Sequence, residues 1–467
     1  MNKLSADYLV IGSGAVSMTF VDTMLDESDA TFIIVDHHHL PGGHWNDAYP
    51  FVRLHQPSAS YGVASRRLGS DRIDESGSNK GYMELASGAE VSAYFEQIMR
   101  ERFLPSGRVQ YFPMCDYKGD GKFTSLLSGK QFEVAIEKKT VDGTFFQTSV
   151  PSTHKRKYET GENVVCITPN ELPRRASEFR HFTVVGAGKT GMDALVWLLD
   201  NGADPDKMRW ICPRDSWLIN RETTQPSAEF FEQAIGGFAH QLEAFAAASS
   251  VDDAFARLED TAQMLRIDKS VWPTMCHYAT ISHGEIEQLR RIKNVLRQGR
   301  VSRIDENEIT FTSSETAAAK PGTLYIDCTA TAVAFSRESR PIYEQDRITI
   351  QPVRSPLVTL SAAIIAYVEA RFETDAQKNQ MCTPVVLADT PAEYMVSFLG
   401  NMMNQNAWSQ DDAVNKWVGT CRLNAFGKIV READRSDPAK MKILARIKEN
   451  AMPAAMNLQK LINEDAA

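Results

Sequence analysis

Tyr8-Leu9-Val10-Ile11-Gly12-Ser13-Gly14-Ala15-Val16-Ser17 is the stretch on which the reading of this chain turns. An apolar, β-prone run enters a glycine turn, and Val16, Phe20, Val21, Met24 and Leu25 then recur at helical spacing. A second apolar run, Thr31-Phe32-Ile33-Ile34-Val35, ends at Asp36, 24 residues after Gly12. This order of strand, turn, helix, strand and acid suits a dinucleotide. Gly12 permits the tight turn, Gly14 lets the backbone approach a pyrophosphate, and the helix entered at Ala15 offers free N–H groups and its positive dipole end. Asp36 is placed to bond a ribose hydroxyl. Ser17 stands where a third glycine is usual; that position governs helix–strand packing, and serine is small.

A second copy reads His181-Phe182-Thr183-Val184-Val185-Gly186-Ala187-Gly188-Lys189-Thr190-Gly191, with a helix running on to a stop at Asn201-Gly202. Lys189-Thr190 lacks the four-residue gap of a Walker A loop, so Gly186, Gly188, Lys189, Thr190 and Gly191 are assigned to a second dinucleotide. A further strand, Met208-Arg209-Trp210-Ile211-Cys212, ends without an acid, and Pro213-Arg214-Asp215 follows. Arg214 suits a 2′-phosphate and favours NADPH, while Asp215 keeps NADH open. Two such units imply FAD on the first, a nicotinamide on the second, and a hydride passing between them.

The expected class is therefore α/β, with two Rossmann-like dinucleotide-binding domains. Residues 1–165 form the first part of the FAD domain, and 172–320 the NAD(P)H domain with a helical insertion at about 226–299. Residues 321–467 return to the FAD domain and end in a helical region. The 467 residues carry a net charge of −9, which argues against nucleic acid and anionic membranes as partners. The longest greasy stretch, Leu357 to Val368, is too short to span a bilayer, and the N-terminus lacks signal-peptide anatomy. The expectation is a cytoplasmic protein. The seven cysteines are scattered, the closest two 39 residues apart, which argues against a thiol–disulfide reductase.

After Asp36 the chain reads His37-His38-His39-Leu40-Pro41-Gly42-Gly43-His44-Trp45-Asn46-Asp47-Ala48-Tyr49-Pro50. Gly-Gly-x-Trp followed by Tyr-Pro resembles the class B flavoprotein monooxygenases: the flavin-containing, Baeyer–Villiger and N-hydroxylating enzymes. The second glycine loop agrees, as does the strand ending at Asp327-Cys328-Thr329-Ala330, which resembles that family's D-x-x-x-A-T-G return to the FAD domain. The resemblance implies that Gly42, Gly43, His44, Trp45 and Asp327 lie along the FAD. It also implies that reduced flavin meets molecular oxygen, giving a C4a-peroxyflavin that oxygenates a small substrate. The chain departs from the family at 168–175, where the F-x-G-x-x-x-H fingerprint is absent, and at Gln56, where an acid is expected. N- or S-oxygenation is thereby favoured over ketone insertion. Arg53, His55 and Gln56 are the candidate residues beside the isoalloxazine.

Residues 107–150 read as a β-meander with turns at Gly119-Asp120-Gly121 and Asp142-Gly143. Residues 226–299 read as three helices, and Val301 to Thr312 as a hairpin. The final region, with Asn404, Trp408 and Trp417, reads as helices placed to cover the flavin. Consecutive histidines on an extended strand end point to alternate sides, so no metal site is expected at His37–His39. Two other readings stay open: a reductase or dehydrogenase without oxygen transfer, and a non-catalytic redox-sensing nucleotide binder.

Overall fold

The computed structural model describes residues 2–331, 333 and 339–465. Two sheets organise the chain, the first mixed and the second parallel. In the first, the strands run Val109–Phe112, Phe32–Val35, Asn2–Ile11, Gln131–Asp142, Lys122–Ser125, Cys115–Gly119, and Arg347–Thr349 also pairs with Gln131–Asp142. The strands on either side of Asn2–Ile11 leave the turn after Ile11 at a topological switch point, where open α/β sheets bind ligands. Val10, Ile34 and Val141 are fully buried because helices cover this sheet, as its near-continuous apolar strands require. One covering helix is Ala15–Glu27. The other, Val358–Arg371, contains the greasy stretch and is buried along nearly its whole length. Among the described residues, no helix is long and apolar enough to cross a membrane.

The second sheet is wholly parallel: Val295–Leu296, Met208–Ile211, His181–Val185, Thr323–Asp327, Val165–Ile167. The helix Lys189–Asp200 leaves its central turn. The expected domain limits therefore move. Val165–Ile167 and Thr323–Asp327 belong to the second sheet, and Glu159–Thr160 pairs with the hairpin strand Val301–Ile304 beside it.

Other expectations change with tertiary pairing. The Gly119–Gly121 turn is a hairpin, but Asp142-Gly143 is not. The strand Gln131–Asp142 runs parallel to Asn2–Ile11, and its chain exits at Gly143 against the glycine turn. In the insertion, Phe230 to Phe245 covers a π-helical turn, Glu232–Gly236, followed by the helix Gly237–Ala247. The helices Val251–Asp260 and His283–Leu289 stop early, because Met264–Leu265 and Val295–Leu296 are drawn into sheets. The insertion and the C-terminal helices share an aromatic core that includes Trp217, Phe245, Phe255, Tyr394 and Phe398.

Candidate functional site

At the first turn Gly12 takes a left-handed φ of +86°, and Gly42 and Gly43 follow at +118° and +59°. Gly42 N donates to Ser13 O at 2.8 Å. A Cβ on Gly43 would stand 2.9 Å from Gly14 Cα, so the two glycine turns touch backbone to backbone. Ala15 is the first residue of the helix, and Gly14 caps it without a side-chain hydrogen bond, which leaves the helix N-terminus open to an anion. Ser17 does take the third-glycine place: a Cβ on the facing Gly143 would come within 1.8 Å of its Oγ. The glycine needed for close approach has moved to the partner strand's end.

Asp36 is buried. Its carboxylate accepts from Ser13 N and, at 2.8 Å, Ser13 Oγ, and also from His38 N at 2.7 Å. Burial opposes its charge, yet these bonds and that of the His38 ring hold its pKa below the ordinary value. His38 lies between Asp36 (3.0 Å) and Asp47 (2.7 Å), and its bond to Asp36 heads the causes that raise its pKa to about 9. The expectation that the histidines point apart fails. Residues 37–40 bend rather than extend, and the His37 and His38 rings lie 3.8 Å apart. Ligand atoms of Asp36, His37 and His38 fall within 4.8 Å of one another, but both His38 ring nitrogens are already engaged by carboxylates. His44 stacks on Trp45, whose indole N–H donates to Tyr61 Oη at 2.9 Å, and burial lowers the His44 pKa to about 4.

The second turn keeps all three glycines for separate reasons. A Cβ on Gly186 (φ +124°) would meet Cys328 O at 2.4 Å, and one on Gly191 would meet Gly186 O at 2.4 Å. A Cβ on Gly188 would meet nothing within 4 Å. The first and third glycines serve packing, and the second faces the space a pyrophosphate needs. Thr190 opens the helix beside Tyr49.

Lys189 does not point at that space. Its ammonium is held by Asp193, one helical turn on, and by Glu285 at 2.9 Å; Glu285 also pairs with Arg221 at 2.6 Å. Tyr49 Oη donates to Asp193 at 2.7 Å, and Arg221 Nε donates to the His55 carbonyl at 3.2 Å. This network joins the FAD-side segment 49–55 to the second sheet's helices. Burial opposes the Lys189 charge, but Asp193 and Glu285 keep its pKa raised. Glu285 is held well below the carboxylate range, as Lys189 and Arg221 outweigh its burial. His55 beside them is lowered to about 4, by burial first and by Lys189 second, so its imidazole is neutral.

Arg53 lies apart from this cluster. In the alternating segment Val52-Arg53-Leu54 the neighbours are buried and Arg53 is exposed, donating to Leu85 O at 2.8 Å. Gln56 is half-buried next to His55. Asp327 accepts from Thr329 N and Oγ1 at 3.1 and 2.6 Å, shaping the chain's exit from the second sheet. Arg214 sits after the strand Met208–Ile211 as expected, but its fork is bound by both oxygens of Asp389 at 3.0 and 2.7 Å. His277 reaches the same carboxylate. Asp215 is taken by Arg297. Trp408 donates to Met381 O, Trp417 to Glu27, and Asn404 to Val353 O and Thr383 O, so these residues fasten the C-terminal helices to the FAD domain.

Sequence reasoning missed Tyr49, Asp193, Arg221, Glu285, His277 and Asp389. Of these, Asp193 alone carried a local signal, its i,i+4 spacing from Lys189.

No family model matches the chain. Over 464 residues it is 43% identical to "Uncharacterized protein Rv2000" of Mycobacterium tuberculosis (strain ATCC 25618 / H37Rv), covering 99% of this chain and 86% of that one. "Uncharacterized protein Mb2023" of Mycobacterium bovis matches with the same identity and coverage. Among solved structures, the polycyclic ketone monooxygenase from Thermothelomyces thermophila aligns with a TM-score of 0.50 at 10% identity, over 98% of this chain and 88% of that one. That likeness is one of fold.

Proposed function

We propose, for a chain that belongs to the family of the mycobacterial Rv2000 protein and has a flavoprotein monooxygenase fold, the activity of an FAD-dependent, NADPH-consuming monooxygenase. The observation that carries this reading is the pair of glycine turns, each following a strand with parallel neighbours on both sides and leading into a helix, the second glycine of the second turn free of crowding. The residues present fit the two cofactors. Amides at Gly14 and Ala15, with the glycines 42 and 43 in contact, form a cradle for the FAD pyrophosphate, and those at Gly188 to Thr190 form one for NADPH. When bound, the flavin supplies hydride acceptance and oxygen activation.

The protein's part is to position and to shield. Asp36, held by Ser13 and His38, fixes the first turn. The Tyr49–Asp193–Lys189–Glu285–Arg221 network fixes one sheet against the other, which a transfer between two cofactors requires. His55, neutral next to that network, is available at its ring nitrogens to accept or donate a proton. The favoured substrates are small molecules with a soft nitrogen or sulfur nucleophile.

Three measurements test the reading. Purified protein should show flavin absorption, bleach anaerobically with NADPH in preference to NADH, and place labelled oxygen in the product. Flavin reduction without label in any product supports the reductase reading, and a protein that takes up no FAD ends the proposal.

A further inference from the structure

Arg354 stands at the same edge of the first sheet as the FAD turn. The strand Arg347–Thr349 ends with Thr349 level with Asp142, and Asp142 is level with Ile11. The chain then passes through 353–355 into the helix Val358–Arg371. That helix has no side-chain cap and no acid in its first turn, so its positive end is uncompensated.

The backbone on both sides of Arg354 is pinned. Ser361 Oγ accepts from Val353 N and Arg354 N at 3.2 and 3.0 Å. Asn401 accepts from Ser355 N and donates to Ser355 O, both at 2.8 Å, and Asn404 donates to Val353 O at 2.8 Å. Ser361, Asn401 and Asn404 are themselves buried. Side chains from two helices thus fix three residues, and the side chain they present is a guanidinium. That guanidinium makes no hydrogen bond or ion pair among the described residues.

Its situation differs from that of two other arginines packed between elements. Arg221 reaches Glu285 and two carbonyls, and Arg422 reaches the carbonyls of Ala59, Tyr61 and Val63. Burial lowers the Arg354 pKa, with the phenol of Tyr394 on the helix Pro391–Ser409 the opposing influence. The Arg354 side chain is half-buried, and its five donors on a planar fork, unpaired among the described residues, are open to an arriving anion.

We infer that Arg354 is a binding site for a planar anion at the carboxyl edge of the first sheet, its fork taking two adjacent heteroatoms. Two sources offer that chemistry: the carboxylate of an organic-acid substrate, and the N1–C2 edge of the reduced flavin. The inference rests on the flavoprotein reading for its second source only. The uncompensated helix end adds its field to the same charge. Tyr394, set among Tyr278, Phe255 and Phe398, supplies an aromatic wall to that side.

The test uses the FAD-loaded protein with benzoate and neutral benzamide as probes, followed by flavin difference absorbance and calorimetry. If a carboxylate is the occupant, benzoate binds and benzamide does not. Arg354→Met then weakens benzoate by at least about tenfold, and Arg354→Lys, which keeps charge but loses the fork, falls between. If the flavin edge is the occupant, benzoate is indifferent to Arg354→Met. Anaerobic photoreduction across pH then shows the anionic reduced flavin forming at higher pH in the variant. If Arg354→Met folds with unchanged thermal midpoint and alters neither readout, the inference is overturned. A protein that takes up no FAD refutes the flavoprotein reading instead, and calorimetry with benzoate still decides for or against the arginine.

Discussion

Asp389 and a 2′-phosphate compete for one arginine, and that competition sets a measurable quantity. On the NADPH reading Arg214, after the strand Met208–Ile211, is the residue proposed for the extra phosphate, but both arms of its fork are already on Asp389. NADPH therefore displaces a carboxylate, whereas NADH has no need to. The two side chains are each about one-third exposed (34% and 32%), so the pair is screened, and about 1 kcal/mol is the most it contributes. Asp389→Asn keeps the shape and removes the charge, so NADPH should bind up to about fivefold more tightly while NADH is unchanged. Arg214→Gln removes the phosphate's own partner and should cut the NADPH over NADH preference by at least about tenfold, a charge-assisted bond being worth roughly 1.5–3 kcal/mol. Anaerobic stopped-flow reduction of the bound flavin, with each nucleotide varied, gives both dissociation constants. Arg214 first, then His277, lowers the Asp389 pKa to about 2, so its contribution holds across the assay range and fades only as pH falls from the ordinary carboxylate value through about 2. An NADPH to NADH ratio that moves in neither variant refutes the placement of the 2′-phosphate at Arg214.

Other expected outcomes follow from the same geometry. Gly188→Ala should leave the thermal midpoint within about 2 °C of wild type, as no atom lies within 4 Å of the new methyl, yet weaken NADPH by at least about tenfold. Gly191→Ala should cost about 1–3 kcal/mol in urea unfolding, because its methyl would sit 2.4 Å from Gly186 O; equal midpoints for the two variants would contradict the assigned roles. Glu285→Gln leaves Lys189 and Arg221 short of a buried counter-charge and should lower stability by about 3 kcal/mol, and a loss under 1 kcal/mol would mean the network is solvated. His38, raised to about 9, should contribute stability that is full below pH 6.5 and lost as pH rises through about 9, by no more than about 3 kcal/mol. His38→Gln should abolish that alkaline limb in a series of unfolding curves.

The two nucleotide turns were legible because each is a local event. Strand, turn and helix lie within about 30 residues, and the constraint on each glycine acts on near neighbours such as Gly186 and Gly191. The route by which the third glycine was replaced was legible only in part. Ser17 is read at once, but its accommodation by Gly143 requires the parallel pairing of Gln131–Asp142 with Asn2–Ile11, which turn chemistry at Asp142-Gly143 concealed. Short segments such as Met264–Leu265 read as helix because apolar spacing is ambiguous over a few residues, and sheet pairing decided them. The charge partners were least legible of all: Glu285 lies 96 residues from Lys189, and Asp389 lies 175 from Arg214.

The commitment of Lys189 changes what must hold the second nucleotide. A lysine following a glycine turn reads as a phosphate ligand, but here two cations, Lys189 and Arg221, meet two carboxylates, Asp193 and Glu285, and their formal charges cancel. A neutral, buried cluster projects little field beyond its own contacts, so it adds almost nothing to the attraction of a pyrophosphate nearby. On the NADPH reading the phosphates are left to the amides of residues 188–190 and the helix dipole behind them, and Arg214, the charge proposed for the 2′-phosphate, is under competition from Asp389. On the proposed reading, the second site is one in which the backbone recognises the dinucleotide and a contested arginine tells NADPH from NADH. The lysine, whose spacing suggested binding, instead braces two helices of the second sheet through Asp193 and Glu285.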